Sequence, residues 1–400
     1  MQKLQLKNGL KVIYEHKVGH SVVIEVMIKV GSNNELPDEK GISHFLEHML
    51  FEGTKKRPTN RDITNEIEKI GGEFNAYTSN ERTCFYVKVL KKHFPIAVEI
   101  LSDILKNSLF QEKDIEREKK VILKEIDMVN DEPRYYQWVL LQSTIFKKHP
   151  ARFPTYGNKK VIRNLNRDKV LAYFNKYYLA NNMTLSVVGE IKGWEKLIRD
   201  NFDLKSGRVS PLKKVKEPKA LKNQEKIEKK PVTNNYAVLA FKTVPRGHPD
   251  SYALDVINGV LGRGQSGKMF TEIRAKKGLA YDVGTQNVCD ATYGYFAIYA
   301  TVDKKKIELT RKTVLEEIEK LKAISDLDLN EAKTYVEGDY ILDLEDNQKQ
   351  ADQLLFWEQV KDARNLNNFI DNIKKVNKSD IRRILNKYFK YHTFVVVEGK

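Results

Sequence analysis

Cysteine is almost absent. The 400 residues contain two, Cys84 and Cys289, which fall in different halves of the chain and have no partner at metal-ligand spacing. That excludes a disulfide framework and leaves both thiols as reduced, buried residues. Long apolar runs are missing too: no stretch approaches the ~20 residues that a membrane-spanning helix needs. The opening MQKLQLKNGLKVIYEHK alternates like a strand and has no apolar run that could serve as a signal peptide. No membrane partner is expected, and the cytoplasm is the expected compartment. Nor is there a block of one charge. Lys and Arg (70) exceed Asp and Glu (54) for a net +16, but the cations are scattered among acids rather than gathered into a stripe. A nucleic-acid partner is therefore not expected.

What is present suits a globular protein. With 41% hydrophobic and 31% charged residues, the chain can build cores beneath a heavily charged surface. Its length predicts more than one domain, and two halves of about 200 residues lie within the ordinary domain range.

The stretch around which the rest is organised is GISHFLEHMLF, residues 41–51. Read as a helix, it places His44, Glu47 and His48 on one face, because positions i, i+3 and i+4 are neighbours. Ile42, Phe45, Leu46, Met49 and Leu50 supply an apolar wall around that face. Two imidazoles and a carboxylate converging on one point outline a zinc site, and a catalytic zinc takes a third protein ligand while keeping a position for water. Residues 111–130, QEKDIEREKKVILKEIDMVN, read as a second helix. There Glu118 and Glu125 lie seven apart, two turns, and share a face. One can ligate while the other supports a ligand or a water. A lone His on an apolar helix face is usually structural, and His16, His20, His93, His149, His248 and His392 carry that reading.

His-x-x-Glu-His is the signature of the inverzincins, and the chain resembles the M16 family of zinc peptidases, which includes pitrilysin, insulin-degrading enzyme and the mitochondrial processing peptidase. GGEFNAYTS at residues 71–79 and FTEIRAKKGLAYDV at 270–283 carry the resemblance across nearly the whole chain. It implies that Glu125, 77 residues after His48 (125 − 48 = 77), is the third ligand, with Glu118 the supporting acid one heptad earlier. It implies one zinc per chain held by His44, His48 and Glu125, with Glu47 as general base. It also implies that Arg274 and Tyr281, brought from the second half, orient the substrate and stabilise the oxyanion.

Taken in order, residues 10–14 and 21–30 read as strands, and Thr59 can cap a helix over 61–70. Residues 74–78 and 83–90 read as paired strands. The resemblance puts the first of these near the zinc as an edge that binds an extended peptide, with Asn75, Ala76 and Tyr77 as substrate-binding candidates. Helices over 94–106 and 114–130 follow, and a strand over 184–189 closes the first half. Residues 205–230, with Pro211, Pro218 and many Lys, read as a linker. The boundary is placed near 215, giving a zinc-binding domain over 1–214 and a second over 215–400.

The second half replays the first. VLAYFNKYYLANNMTLSVVGE at 170–190 resembles DIRRILNKYFKYHTFVVVEGK at 380–400, each a helix leading into an apolar strand. At the place of the zinc helix, however, residues 254–259 read LDVING and offer no ligand pair. The expected fold is α+β: two similar halves, each an antiparallel sheet with helices on one face, enclosing a chamber. The expected activity is zinc-dependent endopeptidase cleavage of unfolded peptides by a monomer or homodimer.

Two rival readings fit the chain less well. A non-catalytic assembly subunit of the same family would show a broken zinc motif or lack the Arg and Tyr, and both are intact. A nucleotide-binding protein would use GRGQSGKM, residues 262–269, but Met269 stands where a P-loop needs Ser or Thr, and the preceding 254–261 reads as helix rather than strand.

Overall fold

The computed structural model of the chain describes residues 1–209 and 215–399. Two compact units form: Met1–Asp127, Pro154–Lys213 and Asp343–Leu366 in the first; Met128–Phe153, Lys214–Leu342 and Asn367–Lys400 in the second. The expected split into 1–214 and 215–400 thus has two exceptions, since each half of the chain lends one segment to the other unit. An apolar helix face reveals that a helix is covered, but not which sheet covers it. The expected linker residues 210–214 lie outside the described residues.

The first unit is built on a six-stranded sheet. Its strands are β1 (Gln2–Gln5), β2 (Lys11–Glu15), β3 (Ser21–Ile28), β4 (Glu73–Thr78), β5 (Thr83–Leu90) and β6 (Met183–Val188), in the order β1-β2-β6-β3-β5-β4. The second unit has β7 (Gln224–Lys229), β8 (Asn235–Lys242), β9 (Ala280–Cys289), β10 (Gly294–Val302) and β11 (Thr393–Glu398), in the order β7-β11-β8-β10-β9. Read from β2 and from β7, the two orders superimpose pair by pair, as a duplicated unit would require. Neither sheet is wholly antiparallel, in contrast to the expectation: β2 runs parallel to β6, and β7 to β11. Each pair joins an early strand of its unit, β2 or β7, to the unit's last, a connection long enough to cross over.

β7 also corrects the linker, whose last residues pair in register with 393–398. Its sequence QEKIEK has a single apolar residue, the composition of a protected edge strand, which is hard to tell from a solvated tether.

β3, SVVIEVMI, is a β-branched central strand buried along nearly its whole length. Val22, Ile24, Val26 and Ile28 face the main core, shared with Phe85, Val87, Leu185 and Val187 and with the helices α1 (Ile42–Met49), α2 (Asn60–Glu68), α3 (Phe94–Asn107) and α4 (Glu112–Asp131). Thr59 caps α2 through a reciprocal pair with Asp62, as expected. The opposite face is covered as well, so helices do not keep to one side. The lent helix Asn347–Val360 packs there through Leu355 against Met27 and Cys84, with Ser186 Oγ donating to the Ala351 carbonyl at 3.1 Å. In the second unit the lent helix Pro133–Ile145 takes the equivalent place, with Leu140, Leu141 and Ile145 against Val238, Tyr295 and Val395.

Candidate metal centre

α1 starts abruptly. Gly41 sits at φ +100°, and a Cβ there would lie 2.5 Å from the Tyr156 carbonyl oxygen, so only glycine fits. The buried Glu35 carboxylate then accepts from the Gly41 and Ser43 amides at 2.9 Å each, satisfying two of the orphan donors of the first turn. Ser43 also shares a hydrogen bond with the Tyr173 hydroxyl at 2.9 Å. With Ile42, Phe45, Leu46 and Met49 sunk in the core, the helix can turn only one way, and His44, Glu47 and His48 face outward.

Across from them α4 presents Glu125. Its Oε2 lies 3.9 Å from His44 Nε2 and 3.7 Å from His48 Nε2, and the two imidazole rings meet edge to face with centroids 4.7 Å apart. One ligand atom from each of the three residues falls within 4.8 Å of the others. Two imidazole nitrogens and one carboxylate oxygen form a zinc-type donor set for three positions of a tetrahedron.

Glu118, two turns earlier on α4, places Oε2 3.3 Å from His48 Nδ1. That contact fixes the ring with Nε2 toward Glu125. The His48 hydrogen bond holds the Glu118 carboxyl below its usual range. Burial followed by the neighbouring His48 lowers His44 to about 4, so its imidazole is neutral and its unprotonated nitrogen can donate an electron pair. Its Nδ1 is buried without a hydrogen-bond partner. Burial lowers His48, but the acids around it, led by the hydrogen bond to Glu118, outweigh this and raise it. Burial also raises Glu47 against the opposing pull of Thr78, whose hydroxyl donates to Glu47 Oε2.

Thr78 ends β4, the edge strand of the sheet, so the outer backbone of β4 has no strand partner among the described residues. Phe74, on the core side of β4, packs at a tilt against Phe51 just beyond α1, with centroids 4.5 Å apart. Of the substrate-binding candidates, Ala76 shares that side, while Asn75 caps the Ala76 amide at 2.8 Å. The Tyr77 side chain does not face α1. Its hydroxyl donates to Asp352 and accepts from Arg82 Nε at 3.1 Å on the far side of the sheet, so only its backbone belongs to the edge. Alternation puts Tyr77 opposite Thr78, a consequence of strand period that residue type alone did not reveal.

In the second unit, the helix Asp250–Gly262 stands where α1 stands in the first. Its polar face is closed: Asp255 holds Arg246 in a paired contact and accepts from Asn287 at 2.8 Å, and Asn258 accepts from Thr285 at 2.7 Å. Arg274 lies in the π-helical turn Phe270–Lys276 with its guanidinium 4.9 Å over the Phe270 ring. Tyr281, on β9, is 61% exposed, more than the half-buried strand aromatic that its pattern suggests, and its hydroxyl reaches Asp303 at 3.4 Å. In the 262–269 loop, Lys268 pairs with Asp328 at 2.9 Å, and a helix rather than a strand leads into it. Sequence reasoning missed Glu35 and Thr78. Thr78 reaches Glu47 across 31 residues, whereas Glu35 lies only six and eight residues before the amides it binds, in the acid-to-glycine run into α1 that offered a signal.

These features define a class: an α+β protein of two matching units, one of which carries a His-x-x-Glu-His helix with a distal glutamate at metal-binding distance. Residues 11–159 match the family described as insulinase (peptidase family M16), and residues 164–336 match the peptidase M16 inactive domain. An uncharacterized zinc protease of Bacillus subtilis is 32% identical over 86% of this chain and 85% of its own length. One from Rickettsia felis is 34% identical over 84% of this chain and 82% of its own. The chain belongs to the M16 peptidase family. Its fold matches a protease from Helicobacter pylori with a TM-score of 0.94 at 24% identity, covering 99% of both chains. It also matches a peptidase M16 inactive domain from Pseudomonas fluorescens at 0.90 and 20%, covering 100% of this chain and 98% of that one.

Proposed function

We propose that the chain is a zinc-dependent endopeptidase that cleaves unfolded peptides, with His44, His48 and Glu125 as the metal ligands. The observation that supports this most is the convergence of His44 Nε2, His48 Nε2 and Glu125 Oε2 on one point, with Glu47 on the same helix face. The names of the relatives as zinc proteases point the same way. When bound, zinc polarises the scissile carbonyl and acidifies a water at neutral pH.

The remaining work falls to the chain. Glu47 takes the water's proton as the carbonyl is attacked and delivers it to the departing amine. Burial favours this role by raising its affinity for the proton, and the Thr78 hydroxyl on Oε2 orients the carboxylate so that Oε1 is the oxygen turned to the proton. Glu118 holds His48 in the tautomer that keeps Nε2 for the metal. The open edge of β4 accepts the substrate as an added strand, through main-chain hydrogen bonds that select an extended backbone rather than a sequence. The family resemblance adds Arg274 and Tyr281 as hydrogen-bond donors to the substrate carbonyl and its oxyanion. The acting species is a monomer or homodimer, and the expected compartment is the cytoplasm. Among the described residues, no helix is long and apolar enough to cross a membrane.

A fluorogenic peptide assay on the purified full chain tests this reading. Chelation should abolish cleavage and added Zn²⁺ restore it. Cleavage indifferent to a chelator that strips the metal would refute it.

A further inference from the structure

The face of the first sheet that turns away from α1 carries an unusual residue. From Val22 to Ile28 β3 is apolar on both faces except for Glu25, which is 0% exposed. Neither of its carboxylate oxygens meets a partner at strict hydrogen-bond geometry, and the donor beside it is the weak Cys84 thiol. A carboxyl group so buried is costly when ionised, because a lone thiol is a poor substitute for water.

What surrounds Glu25 is not apolar. Cys84 of β5, paired across the sheet with Met27 on the same face, is fully buried, and Asp352 projects from the lent helix Asn347–Val360. One ligand atom from each of Glu25, Cys84 and Asp352 lies within 4.8 Å of the others. We propose that these three residues form a second metal site, for a divalent transition ion of the zinc type bound by one thiolate and two carboxylates.

Charge balance favours a dication. Fully ionised, the three ligands carry −3 in formal charge; the neighbouring Arg82, whose Nη2 is 3.9 Å from Asp352, supplies +1, and a dication brings the sum to zero. Without one, burial must keep protons on Glu25 and Cys84, and it does push both groups well above their usual ranges. Binding therefore expels those protons to solvent, as metal uptake by protonated ligands generally does.

The donor chemistry is specific. A thiolate with carboxylates suits zinc, whose bonds of about 2.0–2.3 Å put tetrahedral sulfur and oxygen donors roughly 3.3–3.5 Å apart, inside the 4.8 Å within which these ligand atoms lie and leaving room for the cluster to tighten. Asp352 can supply that movement, since its side chain is 22% exposed and marks the way in. The Tyr77 hydroxyl, already donating to Asp352, would orient this ligand from outside, as partners of metal ligands commonly do. The ion would fasten β3, β5 and the lent helix together on the side of the sheet remote from the peptidase centre.

The thiolate makes the site separable from that centre, whose donors include no sulfur. The full-length chain, freed of metal by chelation, is titrated with Co²⁺ and followed by absorption. The expected result is two equivalents bound, one of them bringing a near-ultraviolet thiolate-to-cobalt charge-transfer band. Cys84→Ser should abolish the band and one equivalent, while Cys289→Ser keeps both. Glu25→Gln and Asp352→Asn should each weaken the band-forming equivalent on the order of tenfold or more, which keeps the test available if Cys84→Ser does not fold. A folded wild-type chain that shows no thiolate band at saturating Co²⁺, or a band that survives Cys84→Ser, would overturn the proposal.

Discussion

Replacing Glu118 by Gln isolates the support of a metal ligand from the ligand itself. The Glu118 carboxylate is 9% exposed, with Oε2 3.3 Å from His48 Nδ1 and Oε1 3.5 Å from Arg117 Nε. Gln keeps the shape and an acceptor for Nδ1–H but loses the charge. A hydrogen bond to a charged group is worth about 1.5–3 kcal/mol and a neutral one about 0.5–1.5, so the change costs roughly 1–2 kcal/mol of preorganisation. Because Arg117 is largely exposed, its own pairing contributes little to the balance. Expressed as affinity, zinc should bind about 5–30-fold more weakly. Glu125→Gln removes the anionic donor outright and should cost more than that. Competition against a chelator of known affinity, run side by side on the three proteins, measures both effects. A larger loss in Glu118→Gln than in Glu125→Gln would show that ligand and support had been exchanged, and no loss at all would refute the role of the 3.3 Å contact.

Three further expectations concern the frame of the site and its substrate. Burial raises Glu35 from 4.5 to about 7 against the pull of the Gly41 and Ser43 amides. Its folded pKa thus exceeds its unfolded one, folding takes up a proton between the two, and stability is lost as pH rises through that window, by at most about 3 kcal/mol. Urea midpoints across that range should show this slope in the wild type and not in Glu35→Gln; parallel curves would count against it. Gly41→Ala combines a positive φ with a contact to the Tyr156 carbonyl, and equilibrium unfolding should show a loss of about 2–4 kcal/mol; a change below about 0.5 would mean the turn relaxes freely. If β4 receives the substrate as an added strand, an unstructured peptide should be cut and the same sequence inside a stable folded domain spared, and equal cleavage of both would count against strand addition at that edge.

The metal centre was legible where its information is local. Three of its residues lie within five positions of a helix whose apolar side dictates its rotation, so the face shared by His44, Glu47 and His48 follows from spacing alone. The pairing with Glu125 does not: spacing left Glu118 and Glu125 open, and the choice rested on a family resemblance. The anchors that hold α1 in place, Glu35 and Thr78, lie on loop and strand residues whose side chains carry no periodic signal. β7 hid as a linker because an edge strand is protected by the same charges that mark a tether. The lent helices were missed for a different reason, since Leu355 and Leu140 read as apolar-face residues whichever sheet they cover. Glu25 is the lone acid of β3, and the reading of 21–30 as an apolar strand passed over it.

The central claim is that Glu47 handles the proton while His44, His48 and Glu125 hold the metal. Zinc content and peptide cleavage measured on the same preparations of wild type and Glu47→Gln test it most directly. The account predicts that Glu47→Gln keeps the wild-type zinc content and loses cleavage, because the amide cannot accept the proton and the ligands are untouched. Cleavage by Glu47→Gln at the wild-type rate, or its loss together with the zinc, would contradict it.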